Sequence, residues 1–268
     1  MNKRLVFIGA GNMAEALVRG LLSSAVSRAS DLAVADVAAE RRELMSQAYG
    51  VAAYADNADA LNGAEVIVLA VKPQALAPVL AELRPCLKAD QLVISIAAGV
   101  TLAVLERSLG GGIRLVRAMP NMPALVGAGA TVYCRNAAAR VKDAETARCL
   151  FEAVGMTLEM SEDCMDAVTA LSGSGPAYVF YLAEAMARAG AELGLTRETA
   201  ARLAAATVHG AGCLLRETGA APQELRRRVT SKGGTTEAAL RVFEERGLSD
   251  IVSDGLAAAC RRAGELSG

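Results

Sequence analysis

From Arg4 onward the apolar residues come in short unbroken runs, and between the runs they return at helical spacing. The runs "RLVFIG" (4–9), "LAVAD" (32–36), "EVIVLAV" (65–71), "QLVISIA" (91–97) and "IRLVRAM" (113–119) are short and rich in β-branched residues, so they predict strands. Stretches such as 13–22 and 38–49 predict helices between them. Strands apolar at every position, separated by amphipathic helices, fit a parallel sheet covered on both faces. "ATVYC" (130–134) predicts a further strand near the sheet edge. From about residue 163 the pattern is helical almost throughout, over 163–170, 176–193, 197–217, 222–229, 236–246 and 250–266. Pro176 and Pro222 stand where a first helical turn accepts proline. The expectation is an α/β domain over residues 1–160 followed by an all-α domain over 161–268.

The composition narrows the partners. A chain of 268 residues has room for two domains and a substantial core. A net charge of −1 favours neither nucleic acid nor an anionic membrane. Aromatic residues are 3% and tryptophan is absent, so Ala, Val, Leu, Ile and Met must build the core. Helical stretches such as "AAATVHGAGCLL" have wider apolar faces than one small domain buries, which predicts a homodimer through the helical half. The longest apolar stretch, 167–183, is broken by "SGSGP" and followed by Glu184 and Arg188, whereas a membrane span needs about 20 apolar residues. "MNKRLVFIGAG" reads as a first strand rather than a signal peptide, so a cytoplasmic protein is expected. Cys86, Cys134, Cys149, Cys164, Cys213 and Cys260 form no C-x-x-C pair and have no histidine cluster beside them. They read as buried reduced thiols, and no metal is expected.

One motif has a specific chemistry. "VFIGAGNMAEAL" places Gly9-x-Gly11-x-x-Ala14 directly after a strand and into a helix. Gly9 makes the turn, Gly11 lets a pyrophosphate approach, and the small Ala14 lets helix and strand pack. In this context the motif predicts a Rossmann-type doubly wound sheet holding NADPH or NADH, with Gly9, Gly11, Asn12 and Met13 on the phosphate side. Asp36 ends the next strand and suits the ribose 2′-OH of NAD, while Arg41 and Arg42 suit a 2′-phosphate or a solvated helix face. Ligands on such sheets bind beyond the carboxyl ends of strands, where "LAVKPQ" supplies Ala70, Val71, Lys72 and Pro73. "SIAAGVT" supplies Ala98 and Gly99, small enough for a flat nicotinamide ring, and "AMPNMP" (118–123) caps the same edge.

What the chain lacks bears on its chemistry. The single histidine, His209, lies in an Ala-rich helix and reads as a core or interface residue. Lys72 reads as a strand-end residue touching cofactor or solvent. The β-hydroxyacid dehydrogenases share a similar glycine fingerprint and carry Gly-x-Gly-x-x-x-Lys in the interdomain helix. Here Gly173-Ser174-Gly175 is followed by "PAYVFYLAEA", with no lysine. A reductase without a strong acid can still act on a protonated imine, which is already electrophilic, if it holds the substrate and aims the ring. "RVTSKGGTTEAAL" (228–240) offers a place to hold it. Two glycines allow close approach, Thr235 and Thr236 are good helix-capping types, and free N–H groups at a helix start favour an anion. A plain turn between two helices is the alternative.

Several motifs together resemble one family. "GAGNMAEAL", "LAVKPQ", "SIAAGVT", "AMPNMP", "GATVY", "DAVTALSGSGPAYVF" and "VTSKGGTTEAAL" stand in the order found in pyrroline-5-carboxylate reductases, and the similarity covers nearly the whole chain. The resemblance implies reduction of L-1-pyrroline-5-carboxylate to L-proline with NADPH or NADH, the last step of proline synthesis. It also implies a C-terminal helical domain that interlocks into a dimer or a larger ring, and an active site shared between subunits. Carried over by residue, Ser231, Gly233, Gly234 and Thr235 resemble the substrate-carboxylate cradle. Thr236 matches the hydroxyl near the imine nitrogen, and Asn57, Val71, Lys72 and Ala98 match positions lining the cofactor. Lys232 stands where some members have proline. The alternatives are a reductase of another imine or of a β-hydroxy acid, and a nucleotide-sensing protein that lost catalysis. The intact 230–236 cluster argues against the last.

Overall fold

The structure, a computed structural model, describes residues 4–267. Its α/β part begins β1 (Leu5–Ile8), α1 (Asn12–Ser23), β2 (Leu32–Ala35), α2 (Ala39–Tyr49), β3 (Ala52–Tyr54) and α3 (Asn57–Ala60). It continues β4 (Val66–Leu69), α4 (Pro73–Leu83), β5 (Leu92–Ser95), α5 (Leu102–Leu109) and β6 (Arg114–Met119). Then come β7 (Gly129–Arg135), α6 (Val141–Glu152), β8 (Gly155–Glu159) and the short α7 (Met165–Val168). The helical part holds α8 (Gly175–Glu192), α9 (Arg197–Thr218), α10 (Pro222–Arg228), α11 (Thr235–Glu245) and α12 (Leu248–Ser267). The chain divides into two compact units. One runs to Gly173 and takes in the segment from Ala259 on, and the other is Ser174–Ala258.

Among the described residues one eight-stranded sheet runs in the order β3-β2-β1-β4-β5-β6-β7-β8. The pairs from β3 through β6 are parallel, β7 runs antiparallel to β6, and β8 runs parallel to β7. Successive side chains of a strand point to opposite faces. Leu5 and Phe7 therefore join the core under α1 and α6, while Val6 and Ile8 join the core under α4 and α5. That is why β1 reads as a continuous apolar run.

The structure adds to the sequence reading and corrects it. β3, three residues of which two are alanine, is too short to stand out, and β8, "GMTLE", mixes polar and apolar positions; both are half-exposed to exposed, so periodicity passes over them. "ATVYC" lies within β7, second from the edge, because β8 covers it. The helix expected over 163–170 is a 3₁₀ turn (Glu162–Cys164), α7 and a π-helical turn (Thr169–Gly173). Thr169 and Ser172 donate back to the carbonyls of Met165 and Val168 at 2.8 and 3.0 Å, bonds that compete with a straight helix. All six thiols are free, yet only Cys134 is buried. The others lie half-buried on helices or turns, Cys86 among them packed against the core under α4 and α5.

In the second unit α8 packs on α9 through small residues, and a Cβ on Gly190 would stand 3.3 Å from that of Ala200. Thr196 caps α9 by accepting the N–H of Thr199 at 3.1 Å. The unit buries Ala200 and Ala204 but leaves Phe180, Tyr181, Leu203, Leu214, Phe243 and Ile251 exposed on the single chain.

Candidate active site

The glycine turn sits where the sheet changes direction, between β1 and its neighbours β2 and β4. Gly9 has φ +97°, and a Cβ there would stand 2.9 Å from main-chain atoms of Ala70, so only glycine fits. Its N–H donates to the Ala35 carbonyl at 2.7 Å, and the Ala70 N–H donates to the Ile8 carbonyl at 2.8 Å. Gly11 differs. It is exposed, its backbone is extended (φ −71°, ψ −179°), and a Cβ would meet nothing within 4 Å. It caps α1 with no side-chain partner, so the open start of α1 faces the space a Cβ would fill. That arrangement fits a dinucleotide pyrophosphate. Asn12 is exposed at the helix start, Met13 packs partly on the core, and Ala14 is buried.

A network of polar side chains grips this turn. The peptide of Ala10 is held on both sides. Its N–H donates to Asp36 Oδ2 at 2.7 Å, and its carbonyl accepts Arg41 Nε at 2.6 Å. Asp36 Oδ1 accepts the Ala38 N–H at 2.9 Å. Arg41 also pairs with Glu15 Oε2 at 2.6 Å, and Glu15 Oε1 accepts the Tyr49 hydroxyl at 3.0 Å. Arg42 donates to the carbonyls of Asp36 and Val37 at 2.8 and 2.9 Å. Neither arginine is therefore a merely solvated helix-face residue. Burial raises the Glu15 carboxyl, but the hydrogen bonds from Arg41 and Tyr49, with the charges of Arg41 and Arg19, outweigh it and hold the carboxyl below its ordinary value. Glu15 was not among the residues expected from sequence. Its signal, an acid in the first turn of the phosphate-side helix, gives no hint of a partner on α2.

The other residues expected to line the cofactor lie at the strand ends or just beyond them. Lys72 is the exposed cap residue of α4, with Pro73 in the first turn beside Ala70 and Val71. Ala98 is exposed after β5. Gly99 has φ +74°, and a Cβ there would stand 3.0 Å from the Leu266 carbonyl. Asn57 opens α3 and donates to Glu82 Oε2 at 2.9 Å. Asn121, from "AMPNMP", accepts the Ala130 N–H at 2.8 Å and donates to the Ser172 carbonyl at 2.9 Å, tying the loop after β6 in place.

In the second unit the turn between α10 and α11 carries the hydroxyl cluster. Thr235 and Thr236 were expected as caps, but Gly234 is the cap and Thr235 the first helical residue, because Gly233 at φ +70° turns the chain one residue early. The Gly233 N–H donates to Glu237 Oε2 at 2.6 Å, and the Gly234 N–H donates to the Ser231 carbonyl at 3.0 Å. At 234 a Cβ would crowd the Ser231 hydroxyl and stand 3.0 Å from the Ser231 carbonyl oxygen. Ser231 and Thr235 are exposed and Thr236 half-buried. His209 stays on α9, with Nε2 3.6 Å from Cys213 Sγ. No cluster of possible metal ligands occurs among the described residues.

A doubly wound sheet with an open glycine turn, joined to a helical unit, defines a two-domain nicotinamide-dependent oxidoreductase. Residues 4–99 match the family model described as NADP oxidoreductase, coenzyme F420-dependent, and residues 162–266 match that for pyrroline-5-carboxylate reductase dimerisation. A pyrroline-5-carboxylate reductase of Pseudomonas aeruginosa is 45% identical over 98% of this chain and 97% of its own length. Among solved structures, one from Coxiella burnetii superposes with a TM-score of 0.95 at 40% identity over 100% of both chains. One from Plasmodium falciparum, with NADP bound, gives 0.88 at 30% identity over 100% of this chain and 99% of its own. The chain belongs to the pyrroline-5-carboxylate reductase family.

Proposed function

We propose that the protein reduces L-1-pyrroline-5-carboxylate to L-proline with NADPH or NADH. The observation that carries this is the survival of both halves of a reductase site, the open Gly11 turn and the hydroxyl-rich start of α11, in a chain matched end to end by reductases. Residues 1–160 hold the dinucleotide, which supplies hydride to the imine carbon. Gly11 and the uncapped start of α1 take the pyrophosphate. Ala70, Val71, Lys72, Pro73, Ala98 and Gly99 line the nicotinamide side, and Asn57 lies toward the adenosine. Residues 161–268 hold the substrate. Ser231 and the 233–235 backbone take its carboxylate, and the Thr236 hydroxyl bonds the imine nitrogen and relays to it a proton drawn from solvent, keeping its own, as the C–N bond becomes single. Two subunits associate through the exposed apolar faces of α8, α9, α11 and α12, as a homodimer or a larger ring, in the cytoplasm.

The test is proline formation by purified protein given pyrroline-5-carboxylate and each dinucleotide. One proline per dinucleotide oxidised is expected. Dinucleotide oxidation without proline overturns the reading. Sedimentation is expected to give a dimer or larger, and a stable active monomer overturns the assembly.

A further inference from the structure

Asp36 and Arg41 are the two residues that would read the 2′ position of the adenosine ribose, and the structure joins them through one peptide. Asp36 holds the N–H of Ala10 and Arg41 its carbonyl, at 2.7 and 2.6 Å. The acid keeps its place at the end of β2, where a carboxylate accepts from a ribose 2′-OH and repels a 2′-phosphate. The base does not face that place unencumbered. Its Nη2 pairs with Glu15 at 2.6 Å, and Glu15 is in turn fixed by the Tyr49 hydroxyl at 3.0 Å. The Arg41 and Glu15 side chains are 27% and 24% exposed, so this pair is shielded more than an ordinary surface pair. Arg42 is spent on the Asp36 and Val37 carbonyls.

We infer that Glu15 is a specificity-determining residue for the cofactor: by holding Arg41 against the glycine turn, it keeps the guanidinium from a 2′-phosphate and commits the chain to NADH. The inference rests on the reductase reading above and deepens it. Tyr49 is part of the device, because its hydroxyl orients the Glu15 carboxylate toward α2. Glu15 touches neither reacting atom. It acts through Arg41, and its effect is confined to the difference between two cofactors that share every contact except the 2′ group.

The experiment measures dissociation constants for NADH and NADPH by fluorescence titration on the intact protein, beside kcat/KM with each. Wild type is expected to bind NADH more tightly. Glu15→Gln keeps the size of the side chain and an acceptor for Tyr49 but removes the charge that draws Arg41. The Kd ratio is expected to move about tenfold toward NADPH, since the released guanidinium gains a charge-assisted bond to phosphate. Arg41→Ala in wild type is expected to leave the ratio within about threefold, because Arg41 is not on the phosphate. Added to Glu15→Gln it is expected to cancel the gain. Any general loosening of the turn affects both cofactors and drops out of the ratio. An unchanged ratio in Glu15→Gln overturns the inference, as does an Arg41→Ala single variant that selectively loses NADPH tenfold. A wild type that binds NADH but prefers NADPH also overturns it while leaving the reductase reading intact. A wild type that binds neither dinucleotide overturns both.

Discussion

Gly9 and Gly11 lie two residues apart in one turn, yet the structure predicts opposite signatures for replacing them with alanine. At Gly11 the backbone is extended, φ −71° and ψ −179°, a region any residue adopts, and no atom lies within 4 Å of the added Cβ. Alanine there stiffens the unfolded chain, worth about 0.4–1 kcal/mol, and loses a glycine at a helix cap, which costs a similar amount. The net is within about 0.5 kcal/mol, so Tm should hold to about 2 °C. The methyl group instead fills the opening assigned to the pyrophosphate. Losing one hydrogen bond from the helix start to a charged phosphate costs about 1.5–3 kcal/mol, roughly ten- to a hundredfold in Kd.

At Gly9 the order of effects reverses. Alanine must adopt φ +97° with its Cβ 2.9 Å from the Ala70 main chain. Such backbone strain costs on the order of 1–3 kcal/mol before any clash, so Tm should fall by roughly 2–12 °C. Scanning calorimetry of the free protein and fluorescence titration with NADH and NADPH separate the two cases. If Gly11→Ala binds both dinucleotides with unchanged Kd, or loses as much stability as Gly9→Ala, the opening before α1 is not the phosphate site.

Four further outcomes follow from named contacts. Ser231→Ala should raise KM for pyrroline-5-carboxylate by roughly ten- to a hundredfold, whereas Thr236→Ala should mainly lower kcat and Thr236→Ser retain much of it, as steady-state kinetics will report. Glu237→Ala frees the Gly233 N–H that Glu237 holds at 2.6 Å, so KM for the substrate should fall, and a KM that rises would show that Glu237 serves the turn rather than competing for it. Asp143, 1% exposed, pairs with Arg114 at 2.7 Å and accepts the Arg140 N–H at 2.9 Å, so Asp143→Ala should cost about 3–5 kcal/mol, a Tm loss of roughly 6–20 °C by calorimetry. Glu15 is held below its ordinary value when folded, so its contribution is complete above the ordinary carboxylate range and disappears as pH falls through the lowered value; the Tm gap between wild type and Glu15→Gln should be constant at neutral pH and close in acid.

What sequence revealed of the fold depended on how local its cause was. The central strands β1, β2, β4 and β5 are buried along their whole length, so each is a nearly unbroken run of apolar residues, and β6 keeps Leu115, Val116 and Ala118 buried around a buried Arg117. β3 and β8 are held by pairing with a neighbour while half-exposed to exposed; β3 is only Ala52, Ala53 and Tyr54, and β8 mixes polar with apolar residues, so neither carries a distinct mark. Gly9 and Ala14 were legible because their reasons are steric and lie within one turn and the strands beside it. Arg41 was legible only as a charge near the right place. Its partner Glu15 stands 26 residues away on another helix, and no spacing rule connects the two.

The turn before α11 shows how a correct assignment of residue types can leave the state of a site undecided. Glycines, hydroxyls and a helix start were read as an anion cradle, and in the single chain two of the N–H groups in that turn already have acceptors. Gly233 gives its proton to the Glu237 carboxylate and Gly234 to the Ser231 carbonyl. The first of these is itself an N–H bonded to a carboxylate, the interaction proposed for the substrate, supplied by a side chain four residues on. A carboxylate in that position is what the chemistry of the turn favours, since the start of α11 has no side-chain cap and Gly233 at φ +70° turns its N–H toward the first turn of the helix. On the proposed cradle reading, Glu237 is the competitor that the substrate meets. A substrate carboxylate that binds through Gly233 must displace a charge already there, so the affinity of the turn for substrate is the difference between two similar interactions. Ser231 Oγ and the Thr236 hydroxyl, which Glu237 does not occupy, then decide which carboxylate wins.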